Sequence, residues 1–93
     1  MIEDFSVGKI ALRKIQGSSL VYAVGTVKNT VDRQRFGVRI QLNLLDEQDR
    51  NIGVVSDYVS VVEPNKDWQF RALLMPTQKG VAKVTVADIK EQQ

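Results

Sequence analysis

Strict alternation of apolar and polar side chains over residues 38–44 is the feature that most restricts how this chain folds. From residue 38 onward the apolar positions are Val38, Ile40, Leu42 and Leu44, each separated from the next by a polar residue. Successive side chains of a β-strand point to opposite faces, whereas a helix repeats every 3.6 residues. The pattern therefore predicts a strand with one buried and one solvated face.

Six segments of the chain have strand-like composition, and each ends at residues typical of turns. They cover residues 5–15, 20–29, 36–45, 51–62, 68–75 and 81–89. Gly53, near the start of the fourth segment, predicts a bend or bulge there. Because no helical pattern lies between the segments, we expect an all-β protein, and we favour a sandwich of two sheets over a small barrel.

Two of these segments predict how the interior of the sandwich is filled. The apolar face of residues 38–44 is expected to meet Trp68, Phe70, Ala72 and Leu74 across a core about 10 Å thick. Side chains two positions apart share a face of a strand, so the aromatic pair predicts core packing rather than a ligand platform.

Gly25 lies inside the second segment and belongs to no phosphate-binding loop, because the glycine series and the following helix of such a loop are missing. A glycine within a strand more often lets an aromatic ring pack over it or eases a bend. We therefore predict a structural role for Gly25.

The composition restricts the chemistry that is available. The chain contains no histidine and no cysteine, so it lacks the commonest general base, the commonest transition-metal ligand and any thiolate. Serine and threonine are present, but nothing in the sequence pairs one with a base. We predict that the protein is not an enzyme and that it has no catalytic residues, cofactor or metal. A hydrolase acting through carboxylates alone, such as Asp57 and Glu63, is the remaining alternative.

Residues 46–51 carry three carboxylates, at Asp46, Glu47 and Asp49. Calcium loops place their ligands at alternating positions around a glycine, and this segment has neither the spacing nor the glycine. Asp and Asn side chains bond to nearby backbone in turns. We therefore predict a hairpin turn stabilised by Asp46, and we expect Asn29 to bond the backbone of the loop that follows its strand.

The candidate interaction residues are basic: Arg33, Arg35 and Arg39, with Lys28 nearby. They could contact phosphate groups or an acidic partner. However, a net charge of +2 does not by itself imply a polyanionic partner, and proteins that bind single strands interleave stacking aromatics, of which only Phe36 lies here. An outward-facing arginine also prevents edge-to-edge pairing of sheets. Binding of nucleic acid or another anionic polymer is therefore the alternative function.

The N-terminal hexapeptide carries two acidic residues where a secretory signal peptide has a basic segment followed by an apolar one. No run approaches 18 apolar residues, so we expect no direct insertion into a membrane. We predict one domain over residues 1–93, frayed at residues 1–4 and 90–93, as part of a longer protein.

Three motifs together resemble the FxLYD family of bacterial immunoglobulin-like domains. A strand ending in Gly-x-Val-x-Asn is matched by residues 25–29, and the pentapeptide that names the family corresponds to residues 42–46, with Leu in place of Phe and Tyr. A turn of the kind Leu-x-Pro-Gly before an aromatic strand corresponds to residues 62–65, where Asn65 replaces Gly. The resemblance covers about residues 18–75.

The resemblance implies an immunoglobulin-like β-sandwich of about seven antiparallel strands, commonly part of a longer envelope-associated or secreted bacterial protein. For that reason we favour a location outside the cytoplasm, with a cytoplasmic location as the alternative. It implies no catalytic residue. It also predicts left-handed backbone at Asn65, a conformation that Asn tolerates as Gly does. We therefore predict a non-catalytic binding or spacer module of a bacterial protein, with a protein or peptide partner recruited at exposed strand edges.

Overall fold

The computed structural model describes residues 5–75 and 80–91, which form seven β-strands and no helix. The strands are β1 (Phe5–Val7), β2 (Ala11–Lys14), β3 (Val21–Asn29), β4 (Arg35–Leu45), β5 (Asn51–Val62), β6 (Asp67–Leu73) and β7 (Lys83–Glu91). Within the described ranges there is accordingly no helix that could cross a bilayer.

Two antiparallel sheets are built around the central strands β3 and β4. In the β3 sheet, β6 pairs with one edge of β3, while β1 and β2 pair one after the other with its opposite edge. In the β4 sheet, β5 and β7 pair with the two edges of β4. The prediction of an all-β sandwich of about seven antiparallel strands is confirmed.

The predicted first segment, residues 5–15, is divided into two strands. Val7 pairs with Val27, and Ala11 pairs with Val24. The segment therefore has one more residue between these two pairs than β3 has. Such an insertion disrupts the ladder locally and adds twist. This irregularity explains why six predicted segments become seven strands.

The other five predicted segments agree with strands to within two residues at each end. At Gly53 the predicted irregularity is present as a register shift, because Leu44 pairs with Gly53 whereas Leu45 pairs with Asn51. The expectation that the chain frays from residue 90 is wrong for Lys90 and Glu91, which belong to β7. The turn predicted at residues 76–80 lies outside the described residues except for Gly80.

The core lies between the inward faces of the two sheets, as predicted. Its contributors from the two predicted segments are Val38, Ile40, Leu42, Leu44, Phe70, Ala72 and Leu74, all buried, with Trp68 half-buried against them. The Trp68 and Phe70 rings meet edge to face, with their centroids 6.1 Å apart. Burial of each large apolar side chain contributes about 1.5–3 kcal/mol to folding.

Gly25 is required by the packing of Phe70. The two residues pair across β3 and β6, and a Cβ placed on Gly25 would lie 2.6 Å from Phe70 Cζ. The predicted packing of an aromatic ring over Gly25 is therefore confirmed.

Asn29 ends β3 with a fully buried side chain. Its Nδ2 donates to the carbonyl oxygens of Arg33, Val62 and Glu63 at 2.8, 3.3 and 3.2 Å, and its Oδ1 accepts from the Val31 amide at 3.2 Å. The predicted bond to the following loop is confirmed. The bonds to β5 and the turn after it add a link between the two sheets that the sequence did not indicate.

Candidate functional site

The four basic residues singled out in the sequence do not form one surface. Lys28 is exposed on β3, and Arg39 is exposed on β4, so the two lie on the outer faces of different sheets. Arg33 and Arg35 are instead gathered around one carboxylate at the end of β7. A single binding patch made of all four residues is therefore not present.

Arg35 and Glu91 form the centre of this cluster, which we call the Glu91 clamp. Arg35 Nε donates to Glu91 Oε1 at 2.7 Å, and both side chains are 8% exposed. Arg33 donates to both carboxylate oxygens, at 3.2 and 3.1 Å, and the Phe36 amide donates to Oε2 at 2.9 Å. The Arg35 guanidinium also lies 4.4 Å from the centre of the Phe5 ring.

The electrostatics of the clamp favour an ionised carboxylate. The hydrogen bond from Arg33, followed by those from the Phe36 amide and Arg35, lowers the pKa of Glu91 from 4.5 to about 2, against the opposing effect of burial. Two of the three candidate arginines thus hold β1, β4 and β7 together. The sequence did not indicate this, because Glu91 is 56 residues from Arg35 and no local pattern marks it.

The acidic segment after β4 is a hairpin turn, as predicted. Asp46 Oδ1 accepts from the amides of Gln48 and Arg50 at 2.8 and 2.9 Å, and Oδ2 accepts from Arg50 Nε at 2.9 Å. The backbone hydrogen bond from Arg50 is the main reason that the pKa of Asp46 is lowered. Asp49 adopts left-handed backbone, with φ of 62°.

The carboxylates considered for hydrolytic chemistry have different partners. Asp57 accepts from the Arg71 amide, whereas Glu63 accepts from the Gln34 side chain. In the part of the chain that the structure describes, no group of three or more acidic side chains is placed to hold a metal ion. Asn65 has the predicted left-handed backbone, with φ of 59°.

One side of the sandwich is closed by β5 and β6, which contact each other. Asp57 on β5 extends across from the β4 sheet, and its Oδ2 accepts the Arg71 amide of β6 at 2.8 Å. This bond satisfies a backbone donor on the edge of β6. Because the Arg71 amide is occupied, this edge of β6 is a poorer template for another strand.

At the opposite side of the sandwich the edge strands are β2 and β7. The inward-pointing side chains there are less well shielded from solvent. Leu12 pairs with the buried Ala23 and so points inward, yet it is 37% exposed. Val84 and Val86 pair with the buried Leu44 and Leu42, and both are only half-buried. We call Leu12, Val84 and Val86 the β2–β7 seam.

A bulge limits the free edge of β7 beside the seam. Leu42 pairs with Val86 and Gln41 with Asp88, so Ala87 is an extra residue in β7. Bulges of this kind interrupt the row of backbone groups that an edge strand offers. The regular part of the edge next to the seam is therefore residues 83–86.

Comparison of the chain with protein-family models, with curated proteins and with solved structures gives no match. The resemblance to the FxLYD family therefore stays a prediction.

Proposed function

We propose that this chain is a non-catalytic, immunoglobulin-like binding module of a bacterial protein, presented outside the cytoplasm, and that its partner adds a short β-strand at the β2–β7 seam. The observations that support this are the exposure of the inward-pointing Leu12 on β2 and, within the described residues, an edge of β7 that pairs with no strand. An apolar side chain that faces a core and yet contacts water gains stability when another apolar group covers it.

Strand addition supplies two kinds of interaction at this place. Backbone groups of the partner bond to the free edge over residues 83–86, and every second partner side chain points between the sheets towards Leu12, Val84 and Val86. Main-chain bonds give affinity in this mode of recognition, and the side-chain positions give specificity.

The bulge at Ala87 determines the length of the partner strand. Beyond Val86 the register changes, so a partner strand that continued straight would lose its backbone partners. We therefore expect a partner segment of about four residues with small or branched apolar side chains at alternate positions.

Peptide binding and hydrogen exchange test the proposal together. The probe is a short synthetic peptide of alternating Val and Thr with a Glu at each end. We expect saturable binding and slower amide exchange over residues 83–86 of β7. A peptide in which Thr replaces every Val should not bind, because it leaves the seam uncovered.

Leu12→Lys is the variant that tests the seam. A lysine at this half-exposed position reaches solvent without burying its charge, so the domain should fold while peptide binding is lost. Val54→Lys is the matched control, because Val54 is 51% exposed on β5 and does not belong to the seam. Equal binding by the Leu12→Lys variant and the native protein would contradict strand addition and leave a spacer role.

The alternative function, binding of nucleic acid or another anionic polymer through Lys28, Arg33, Arg35 and Arg39, gains no support from this geometry. Arg33 and Arg35 are engaged by Glu91, and Lys28 and Arg39 lie on different sheets. Strongly salt-dependent retention on heparin that is lost in an Arg33→Gln and Arg39→Gln double variant would favour the alternative.

A further inference from the structure

The outer face of the β3 sheet is a surface that neither the clamp nor the seam uses. Its side chains alternate with the buried residues of β3 and β6 and therefore point to solvent. The pairing across β2, β3 and β6 places them in successive rows: Arg13, Tyr22 and Leu73; then Ala11, Val24 and Arg71; then Thr26 and Gln69. We call this set the β3-sheet outer face.

Three cations surround a shallow depression of about 600 Å³ on this face: Lys9, Arg13 and Arg71. In the described part of the chain none of the three forms an ion pair. One carboxylate, that of Asp57, lines the depression, and its Oδ2 already accepts the Arg71 amide at 2.8 Å. The depression therefore has an excess of positive charge.

Polar and apolar groups lie between the cations. Thr26 and Gln69 line the depression, and neither side chain makes a hydrogen bond within residues 5–75 and 80–91. Leu73 is 44% exposed beside Tyr22. In the next row Ile15 and Leu20, whose backbones are hydrogen-bonded at 3.0 Å, are also exposed.

We propose that the β3-sheet outer face binds an acidic segment of a partner protein in which a run of carboxylates is followed by apolar side chains. Carboxylates meet Lys9, Arg13 and Arg71, while apolar side chains cover Leu73 and the hairpin residues beside it. Complementary charge of this kind guides association and fixes orientation. The inference rests on the proposed role as a binding module, but it uses a surface separate from the β2–β7 seam.

The same face is poorly suited to nucleic acid. Single-stranded nucleic acids stack their bases on exposed aromatic rings. Here the Arg71 guanidinium lies 5.0 Å from the centre of the Tyr22 ring and covers it. The exposed apolar side chains offer contacts to a polypeptide and none to a phosphate backbone.

Titration calorimetry with a synthetic twelve-residue peptide, in which a half rich in Glu is followed by a half that contains Leu, tests the proposal. We expect saturable binding that weakens as salt is added, because the contacts are solvent-exposed. A peptide with Gln in place of Glu keeps the apolar groups and should bind at least about 5-fold more weakly. An oligothymidylate of equal charge should bind more weakly than the acidic peptide.

The Lys9→Gln and Arg13→Gln double variant locates the site. Both residues are exposed, so folding should be unaffected, and affinity for the Glu-containing peptide should fall about 5-fold. The matched control is the Arg39→Gln and Lys90→Gln double variant, which removes the same charge from the other sheet. Amide shifts in the peptide-bound protein should fall on β2, β3 and β6.

Three results would overturn the proposal: equal binding of the Gln peptide, equal loss of affinity in the control variant, or tighter binding of oligothymidylate. The Leu12→Lys variant separates this proposal from strand addition. It should lose the Val/Thr peptide and bind the acidic peptide normally. Failure of the native protein to bind the Val/Thr peptide would therefore contradict only the proposed function. The Lys9→Gln and Arg13→Gln double variant should still bind the Val/Thr peptide at the seam. Its loss of acidic-peptide binding therefore does not bear on strand addition.

Discussion

Arg35 Nε lies 2.7 Å from Glu91 Oε1, and the two side chains are almost completely shielded from solvent. The contact joins the first residue of β4 to the last residue of β7, and Phe5 of β1 packs against the same guanidinium. A shielded ion pair is costly to break from one side, because the remaining charge is left without its partner. The clamp is therefore a point at which three strands depend on one carboxylate.

Glu91→Gln should destabilise the fold by about 2 kcal/mol, because the amide cannot accept the hydrogen bonds of Arg33, Arg35 and the Phe36 amide with the same charge. Urea unfolding at neutral pH measures the change. Asp88→Asn is the control, since Asp88 lies 3.6 Å from Lys90 in an exposed pair that should contribute less than about 1 kcal/mol. Equal effects of the two substitutions would contradict a special role for the clamp.

Stability should depend on pH through Glu91. Its pKa falls from 4.5 to about 2 on folding, so the folded state binds the proton more weakly than the unfolded state does. The stabilisation is complete above about pH 4.5 and is lost as the pH falls towards 2. The difference in unfolding free energy between the native protein and Glu91→Gln should shrink over that range. A difference that stays constant down to pH 2 would show that the carboxylate is not preferentially ionised.

Gly25→Ala should destabilise the protein by about 1–3 kcal/mol, because its Cβ would clash with the Phe70 ring. Thermal unfolding measures the loss. Gly8→Ala is the matched control, because a Cβ placed on Gly8 would lie 3.7 Å from its nearest neighbour, the carbonyl oxygen of Thr26. The free energy of unfolding should therefore change by no more than about 0.5 kcal/mol. Adding Phe70→Leu to Gly25→Ala should cost less than the sum of the two single substitutions.

Asp46→Ala should lower the melting temperature, because the Gln48 and Arg50 amides lose their acceptor. Peptide binding at the seam and at the β3-sheet outer face should be unchanged. Glu47→Ala, in the same turn, is the control for removal of a carboxylate. An unaltered melting temperature in the Asp46 variant would contradict its role in the hairpin.

Local patterns were sufficient for much of the fold. The alternation at residues 38–44 identified the buried face of β4, and the position of Asn29 before a loop indicated a bond to the backbone of that loop, which the Val31 amide supplies. These features depend on neighbours within a few positions, where side-chain direction and turn chemistry are fixed by the sequence. The division of residues 5–15 into β1 and β2 was missed, because it depends on the register with β3.

The candidate site was predicted less well, and the arginines show why. Lys28, Arg33, Arg35 and Arg39 are close in sequence, but the chain crosses from one sheet to the other between residues 29 and 35. That crossing sends Lys28 and Arg39 to different outer faces. It also brings Arg33 and Arg35 to a carboxylate near the other end of the sequence.

The sequence by itself determined that this chain forms strands, which side chains of β4 point inward, and where the hairpin turn at Asp46 lies, because a period of two and the chemistry of Asp act locally. The tertiary structure alone decided which charges are paired and which apolar groups stay exposed. Pairing of Arg35 with Glu91 and exposure of Leu12 both depend on which strand edges meet. Edge contacts are set by sheet order, which brings together residues far apart in the chain.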